Sequence, residues 1–359
     1  MTALAERLHQ EIAEKGPMAI SDYMARCLMD SDYGYYATAP VFGAEGDFIT
    51  APEISQLFGE MLAAFQAHIC QLFGAPETAI TFEAGPGRGT LARDMHRSYQ
   101  MIAPLLSDAP CYLLEASPAL QDRQKEALAP KIPHFISDIS ELPEQPIFGV
   151  ANEFFDALGV NQAMFHKGAW HHRLIGSKNG GFCFTTGAII EDLAPYQPLP
   201  ETPEEGDIIE TSPISERIMA SLSHHIAHYG GALLIIDYGK TDHHGDSLQA
   251  VRAHKPADLL AYQGETDITH WVDFRALARI ASDNHARLIG PVTQGRFLKE
   301  IGIGTRAEAL RDTDRPDQDR ALLAAIDRLV SPAQMGHAFK IALLVPDGEG
   351  LPPGFGSLS

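Results

Sequence analysis

Apolar residues recur at helical spacing from the start of the chain. Leu4, Leu8 and Ile12 share one face of a segment that carries Glu6, Glu11 and Glu14 elsewhere. The pattern predicts a folded amphipathic helix, and residues 1 to about 75 read as mostly helical, interrupted by a Gly/Pro/aromatic loop from Tyr33 to Pro52. From Ile80 the pattern changes. A short apolar run, Ile80 to Ala84, leads into Gly85-Pro86-Gly87-Arg88-Gly89, and a helix follows with Leu91, Met95 and Ile102 at helical spacing. A second strand, Cys111 to Glu115, precedes Ser117-Pro118, an N-cap with proline at the first helical position. A third strand, His134 to Ile136, ends in Ser137-Asp138, and a fourth, Phe148 to Ala151, ends in Asn152-Glu153.

Short buried-type strands alternating with helices predict an α/β fold with a parallel sheet and right-handed crossovers. Residues 161–210 break the rhythm: Gln162–His166, Trp170–Ile175 and Gly181–Thr185 read as hairpin strands of an insertion. The rhythm resumes with a helix near Ser215–Tyr229 and a strand Ala232–Asp237. Residues 238–269, rich in Gly, His and Asp, read as a long functional loop, followed by a helix Trp271–Ser282. Phe339–Val345 reads as a central strand before a flexible Gly/Pro-rich tail.

Composition narrows the function. At 359 residues and 45% hydrophobic content the chain has ample material for a core. The 27 basic and 47 acidic side chains give a net charge of −20, which repels phosphate backbones and favours a cationic substrate or a basic protein surface, or serves solubility alone. Cys27, Cys70, Cys111 and Cys183 form no C-x-x-C pair, which points to a reducing compartment and to four buried small hydrophobes. No run of about 18 apolar residues predicts a membrane span, and Met1 to Lys15 suits neither a signal peptide nor a transit peptide. The expected setting is bacterial cytoplasm, or the mitochondrial matrix for a processed eukaryotic relative. The pairs His171-His172, His224-His225 and His243-His244 lack a carboxylate or cysteine partner at ligand spacing, so no metal site is expected. No G-x-S-x-G elbow marks an acyl-transfer enzyme.

The candidate chemistry lies at the strand ends. Glu83-Ala84-Gly85-Pro86-Gly87-Arg88-Gly89-Thr90 sits between a strand and a helix, where glycines let the backbone approach a ligand and the helix N-terminus favours negative charge. Its G-x-G-x-G spacing brings the third glycine one residue early for a dinucleotide fold, and a P-loop's Gly-Lys-Ser/Thr ending is missing. Acidic-x-Gly-x-Gly is the first signature of class I methyltransferases; the loop would hold the methionine moiety of S-adenosylmethionine. Glu115 is placed for both ribose hydroxyls, and Asp138 for the adenine amino group, with the adjoining Ile139 counted in the same set. Asn152 stands beside the switch point of the sheet.

Matching residues run through nearly the whole chain: Pro17 to Met24, Gly34-Tyr35-Tyr36, Gly46 to Ser55, Phe58-Gly59-Glu60, Glu83 to Leu91, Asn152 to Leu158, Ile236 to Gly239, Asp267-Ile268-Thr269 and Met335 to Lys340. On these the chain resembles the MidA-like methyltransferases, which include a mitochondrial complex I assembly factor that methylates a protein arginine. Gly159 departs from the family, where proline is usual after Ala-Leu. The resemblance implies a Rossmann-like class I methyltransferase sheet with a helical N-terminal cap and an inserted β-rich substrate region. It also implies S-adenosylmethionine as cofactor and a protein substrate, with arginine of a complex I subunit as the finer expectation.

The expected divisions are an N-terminal cap and lid loop (1–75), the first part of the core (76–160), the insertion (161–228), the second part of the core (229–346) and the tail (347–359). Glu153 and Asp156 are the candidate carboxylates for orienting a guanidinium and receiving its proton, although Glu153 also suits a helix N-terminal carboxylate. Thr50 and Pro52 would close over the cofactor, or else form a buried turn capping a helix that begins near Glu53. Phe154 and Phe155 are expected in the core or beside the cofactor, and Asp237 either at the substrate channel or capping a turn. A small-molecule N- or O-methyltransferase and a non-catalytic assembly factor are the competing functions.

Overall fold

The computed structural model describes residues 2–38, 50–241, 245–312, 314–348, 350 and 352–356. Two compact units account for the chain, one formed by 49–154, 218–241 and 274–359, the other by 1–48, 155–217 and 242–273.

The first unit is built on seven strands: β1 (Ile80–Ala84), β2 (Cys111–Leu114), β3 (His134–Ile136), β4 (Ile147–Asn152), β5 (Gly231–Lys240), β6 (Ala286–Thr293) and β7 (Phe339–Pro346). They lie in the order β3-β2-β1-β4-β5-β7-β6. Five neighbours run parallel, from β3 to β5, and β7 is antiparallel to both β5 and β6. The order reverses between β1 and β4, so the crevice at their carboxyl ends is where an open α/β sheet takes its ligand. All six residues of β4 are buried, as a strand covered on both faces requires. The sequence pattern located β1 to β5 and β7 but did not mark β6, nor the helices Gln294–Glu300, Ile303–Leu310 and Pro316–Val330 that follow it.

The helix Gln56–Leu72, which lies within residues 1–75, packs in the sheet unit. Phe58, Leu62, Phe65 and Ile69 follow a helical period into its core, and Gln66 donates to Gly149 O in β4 while accepting from Tyr99 Oη at 2.9 Å. The tail is not loose throughout, because Phe355 is buried against Phe65 and Phe297. The expected helix is Thr90–Ile102, with Leu91 and Met95 buried and Ile102, at its end, 52% exposed.

The second unit carries the helices Ala3–Lys15 and Ile20–Met29 and an antiparallel sheet of Met18–Ala19, Asn161–His166, Ala169–Lys178, Gly181–Ile189 and Ile208–Thr211. Leu4, Leu8 and Ile12 are buried on one helix face. The long loop is partly structured: Gln249–Arg252, Lys255–Pro256 and Asp267–Thr269 form a three-stranded sheet. The helix expected from Trp271 begins at Phe274, after an extended Val272–Asp273. Arg173 links the hairpins, bonding Gln162 Oε1 and Asp246 Oδ2 at 2.6 Å each, with its guanidinium 3.6 Å from the Phe184 ring centroid. Gly159 is explained by packing, since a Cβ there would stand 2.7 Å from Ser21 O. Cys27, Cys70 and Cys111 are buried, but Cys183, on a hairpin strand, is partly exposed. No helix among the described residues is long and apolar enough to cross a membrane. His243 and His244 lie outside the described residues.

Candidate active site

The glycine loop is a tight backbone turn between β1 and the helix Thr90–Ile102. Gly85, Gly87 and Gly89 all take positive φ, at 63°, 52° and 78°, a region costly for residues with a Cβ. At Gly85 space is also short, because a Cβ would lie 2.7 Å from Phe154 Cδ2. Gly89 N donates to Pro86 O at 2.8 Å, closing the turn, and Gly89 is the N-cap of the helix.

Glu83 lies one residue before the end of β1 and is 5% exposed. Burial pushes its carboxyl up to about 8, against the opposing pull of the Ala92 amide. Its Oε2 is buried without a hydrogen-bond partner. Glu115 follows β2 directly. Its Oε1 accepts from Ser117 N at 2.8 Å and its Oε2 from Gln124 Nε2 at 3.0 Å, while burial raises its pKa. Gln124 Nε2 also donates to Gly87 O at 2.7 Å, so one buried amide joins Glu115 to the glycine loop. Nothing in the sequence pattern singled out Gln124.

Asp138 lies after β3 at the N-cap of the 3₁₀ turn Ile139–Glu141. It accepts from Ser140 N at 2.9 Å and from Ser140 Oγ at 2.6 Å, completing a capping box with Glu141. The side chain is exposed and Ile139 buried. Asp138 therefore has a capping duty that accounts for its presence, as well as the position expected for a purine contact.

Asn152 ends β4, and Glu153 follows it at φ 51°, a strained conformation for a residue that is neither glycine nor asparagine. Three bonds hold the bend: Glu153 N donates to Ile236 O at 2.8 Å, Phe154 N to Asp237 Oδ2 at 3.2 Å, and Tyr238 N to Asp237 Oδ1 at 3.0 Å. The fully buried Asp237 is thus a turn anchor for the Glu153 segment. Glu153 Oε1 accepts from Asn152 Nδ2 at 3.1 Å and from Ala51 N at 3.3 Å, yet burial outweighs both and pushes its pKa up to about 7. Asn152 Oδ1 is buried without a hydrogen-bond partner.

Asp156 belongs to the other unit. Its carbonyl accepts from His270 N at 3.1 Å, and its charge, with that of Asp267, helps to raise the pKa of Tyr36, for which burial is the larger cause. Phe155 is fully buried in that unit. Thr50 precedes the helical turn Ala51–Ile54, where it accepts from Glu53 N at 3.0 Å and Ile54 N at 3.2 Å; Pro52 is buried. Ser55 caps the next helix through Leu57 N, so this stretch is a structured turn, while most of the expected lid lies outside the described residues.

These residues fit S-adenosylmethionine. Two buried polar atoms at the carboxyl ends of β1 and β4, Glu83 Oε2 and Asn152 Oδ1, are acceptors with unused capacity, suited to a ligand bringing N–H donors and positive charge. The glycine loop leaves backbone open where a side chain would not fit, and Glu115 is held with its remaining lone pairs available for hydroxyls. Among the described residues, no cluster of three or more His, Cys, Asp or Glu is arranged to hold a metal ion.

A seven-stranded sheet of this order, with its penultimate β7 antiparallel and an acid-led glycine loop after β1, defines a class I S-adenosylmethionine-dependent methyltransferase. The chain belongs to the family described as "putative S-adenosyl-L-methionine-dependent methyltransferase", whose model matches residues 61–292. It is 33% identical over 376 residues to the mitochondrial protein arginine methyltransferase NDUFAF7 of Xenopus tropicalis, spanning 97% of this chain and 86% of that protein. The human protein of the same name is 30% identical over 371 residues, spanning 96% and 84%. A solved COG1565 superfamily member from Burkholderia thailandensis, bound to S-adenosyl-homocysteine, superposes with a TM-score of 0.84 at 28% identity, covering 98% of this chain and 94% of that one. The protein is an S-adenosylmethionine-dependent methyltransferase.

Proposed function

We propose that the enzyme methylates an arginine of a partner protein, and that the partner is a respiratory complex I subunit or a comparable assembly component. The observation that carries this reading is Glu153, a buried carboxyl group at the end of β4 whose pKa stands at about 7. A guanidinium stays protonated until its nitrogen bonds to carbon, so its methylation needs an acceptor for the released proton. A carboxylate that titrates near neutrality serves that purpose, and its negative charge orients the cationic acceptor beforehand. The names of the relatives, protein arginine methyltransferases, support the acceptor class.

S-adenosylmethionine, when bound, supplies an electrophilic methyl carbon on a sulfonium. The residues proposed to hold it are Glu83 with Gly85, Pro86, Gly87 and Gly89 at the methionine end, Glu115 at the ribose, and Asp138 with Ile139 at the adenine. Asn152, Thr50 and Pro52 complete the set. Asp156 is proposed as the second carboxylate for the guanidinium. The unit comprising 1–48, 155–217 and 242–273 is proposed to recognise the acceptor protein.

The test is transfer of tritiated methyl groups to the soluble proteome of a strain lacking the enzyme, with the labelled residue mapped by mass spectrometry. Label is expected on arginine of one or a few proteins. Glu153→Gln is expected to slow transfer about 10²-fold or more while leaving S-adenosylmethionine affinity within about threefold. Label confined to small molecules would sink the protein-acceptor reading.

A further inference from the structure

One four-residue turn meets both the glycine-loop helix and Glu153. Ala51, its first residue, donates its amide to Glu153 Oε1 at 3.3 Å. Glu53, its third, accepts at Oε1 from Thr90 Oγ1 at 2.6 Å. Thr90 is the first residue of the helix Thr90–Ile102, directly after Gly89. The turn is stiff: Pro52 locks one φ and is buried, and the amides of Glu53 and Ile54 both close on Thr50 O. A segment so constrained shifts as a body, so the anchor at Glu53 governs where the Ala51 amide stands.

We propose that Glu53 is a positioning residue for Glu153: its bond to Thr90 pins the turn whose Ala51 amide stabilises the ionised Glu153 carboxylate, tying the glycine-loop helix to the proton affinity of the site. The inference rests on the reading that Glu153 receives the acceptor's proton. Its physical basis is that a hydrogen bond donated to a carboxylate favours the charged form. Two such donors, Ala51 N and Asn152 Nδ2, oppose the burial that raises Glu153. The titratable and charged groups on the elements around it are Glu53 on the turn Ala51–Ile54, Glu83 on β1, Arg93, Asp94, His96, Arg97 and Tyr99 on the helix Thr90–Ile102, and Asp237, Tyr238 and Lys240 on β5. The causes that shift Glu153 are burial and the two donors, so displacing Ala51 removes one of the two influences that keep it ionised. The Thr90 bond is short, with an ionisable acceptor, and is the kind that holds a segment in register.

The experiment is carboxyl NMR titration of the full-length protein carrying [5-¹³C]glutamate, with the Glu153 signal assigned by its loss in Glu153→Gln. Wild type is expected to titrate at about 7. Glu53→Ala and Thr90→Val are each expected to move that midpoint upward by about half to one unit. The double variant should move it no further than either single one, since both cut the same link. Glu53→Gln keeps an acceptor oxygen for Thr90 and is expected to titrate as wild type, as is Thr90→Ser. A Glu153 midpoint unmoved by Thr90→Val, or shifts that add in the double variant, would overturn the proposal; should Glu53→Ala fail to fold, Thr90→Val decides alone. The titration needs neither acceptor nor methyl transfer, so it succeeds or fails independently of whether arginine is the substrate.

Discussion

The side-chain amide of Gln124 donates to Glu115 Oε2 at 3.0 Å, and the same nitrogen donates to Gly87 O at 2.7 Å. A residue on the helix Pro118–Leu128 thereby fixes the acid after β2 against the turn after β1. Gln124→Met keeps the volume and removes the donor. Bonds to charged groups are worth about 1.5–3 kcal/mol, so S-adenosylmethionine and S-adenosylhomocysteine are each expected to bind about tenfold more weakly. Calorimetric titration measures this, and unchanged affinity would show that Glu115 holds its orientation through Ser117 alone.

Gly85 and Gly74 both occupy the left-handed region, but only Gly85 is crowded. Gly74→Ala, with nothing within 4 Å of the new Cβ, is expected to cost about 1 kcal/mol, the backbone penalty alone. Gly85→Ala adds a clash with the Phe154 ring and is expected to cost about 2–4 kcal/mol, with loss of cofactor binding. Urea unfolding of the two variants gives the comparison; equal costs would mean that Phe154 moves aside freely.

Burial raises the Glu83 carboxyl from 4.5 to about 8. Between those values the folded protein holds a proton that the unfolded chain has lost. Stability without cofactor therefore falls as pH rises from 4.5 to about 8, with a limiting slope of about 1.4 kcal/mol per pH unit from this group. Glu153, raised to about 7, acts in the same direction. Glu83→Gln is expected to flatten the slope and to weaken S-adenosylmethionine binding. Denaturant melts from pH 5 to 8 test it, and a wild-type stability that rises over this range would contradict it.

Phe355 lies 5.4 Å from the Phe297 ring and 6.1 Å from the Phe65 ring, centroid to centroid, and is 6% exposed. Phe355→Ala is expected to cost about 3 kcal/mol, the lower end for buried phenylalanine. Trimming from 357 onward removes none of these contacts, so thermal melts of the two should differ; equal melts would return this segment to the status of a tail.

Much of the sheet was legible because its signals are local. Short apolar runs, glycines between a strand and a helix, and Ser117-Pro118 as a helix start each depend on neighbours within a few residues. β6 is not legible locally because it runs Ala-Arg-Leu-Ile-Gly-Pro-Val-Thr, with a Gly-Pro pair that reads as a loop; in the sheet it marks a register shift between Ile289 and Val292. Phe355 is illegible for a similar reason, one aromatic among glycines and prolines, buried only because distant rings receive it.

By itself the sequence determined the strands β1 to β5 and β7, the glycine loop, and the acids at the strand ends. These follow from backbone sterics and hydrophobic period, which act over a turn or a strand. Tertiary structure alone decided what those acids do. Glu115 is held by Gln124, Glu153 is bent into a left-handed turn by Asp237, and Glu53 reaches Thr90. The proton affinities of Glu83 and Glu153 depend on how completely packing removes water, a property that no stretch of residues carries alone.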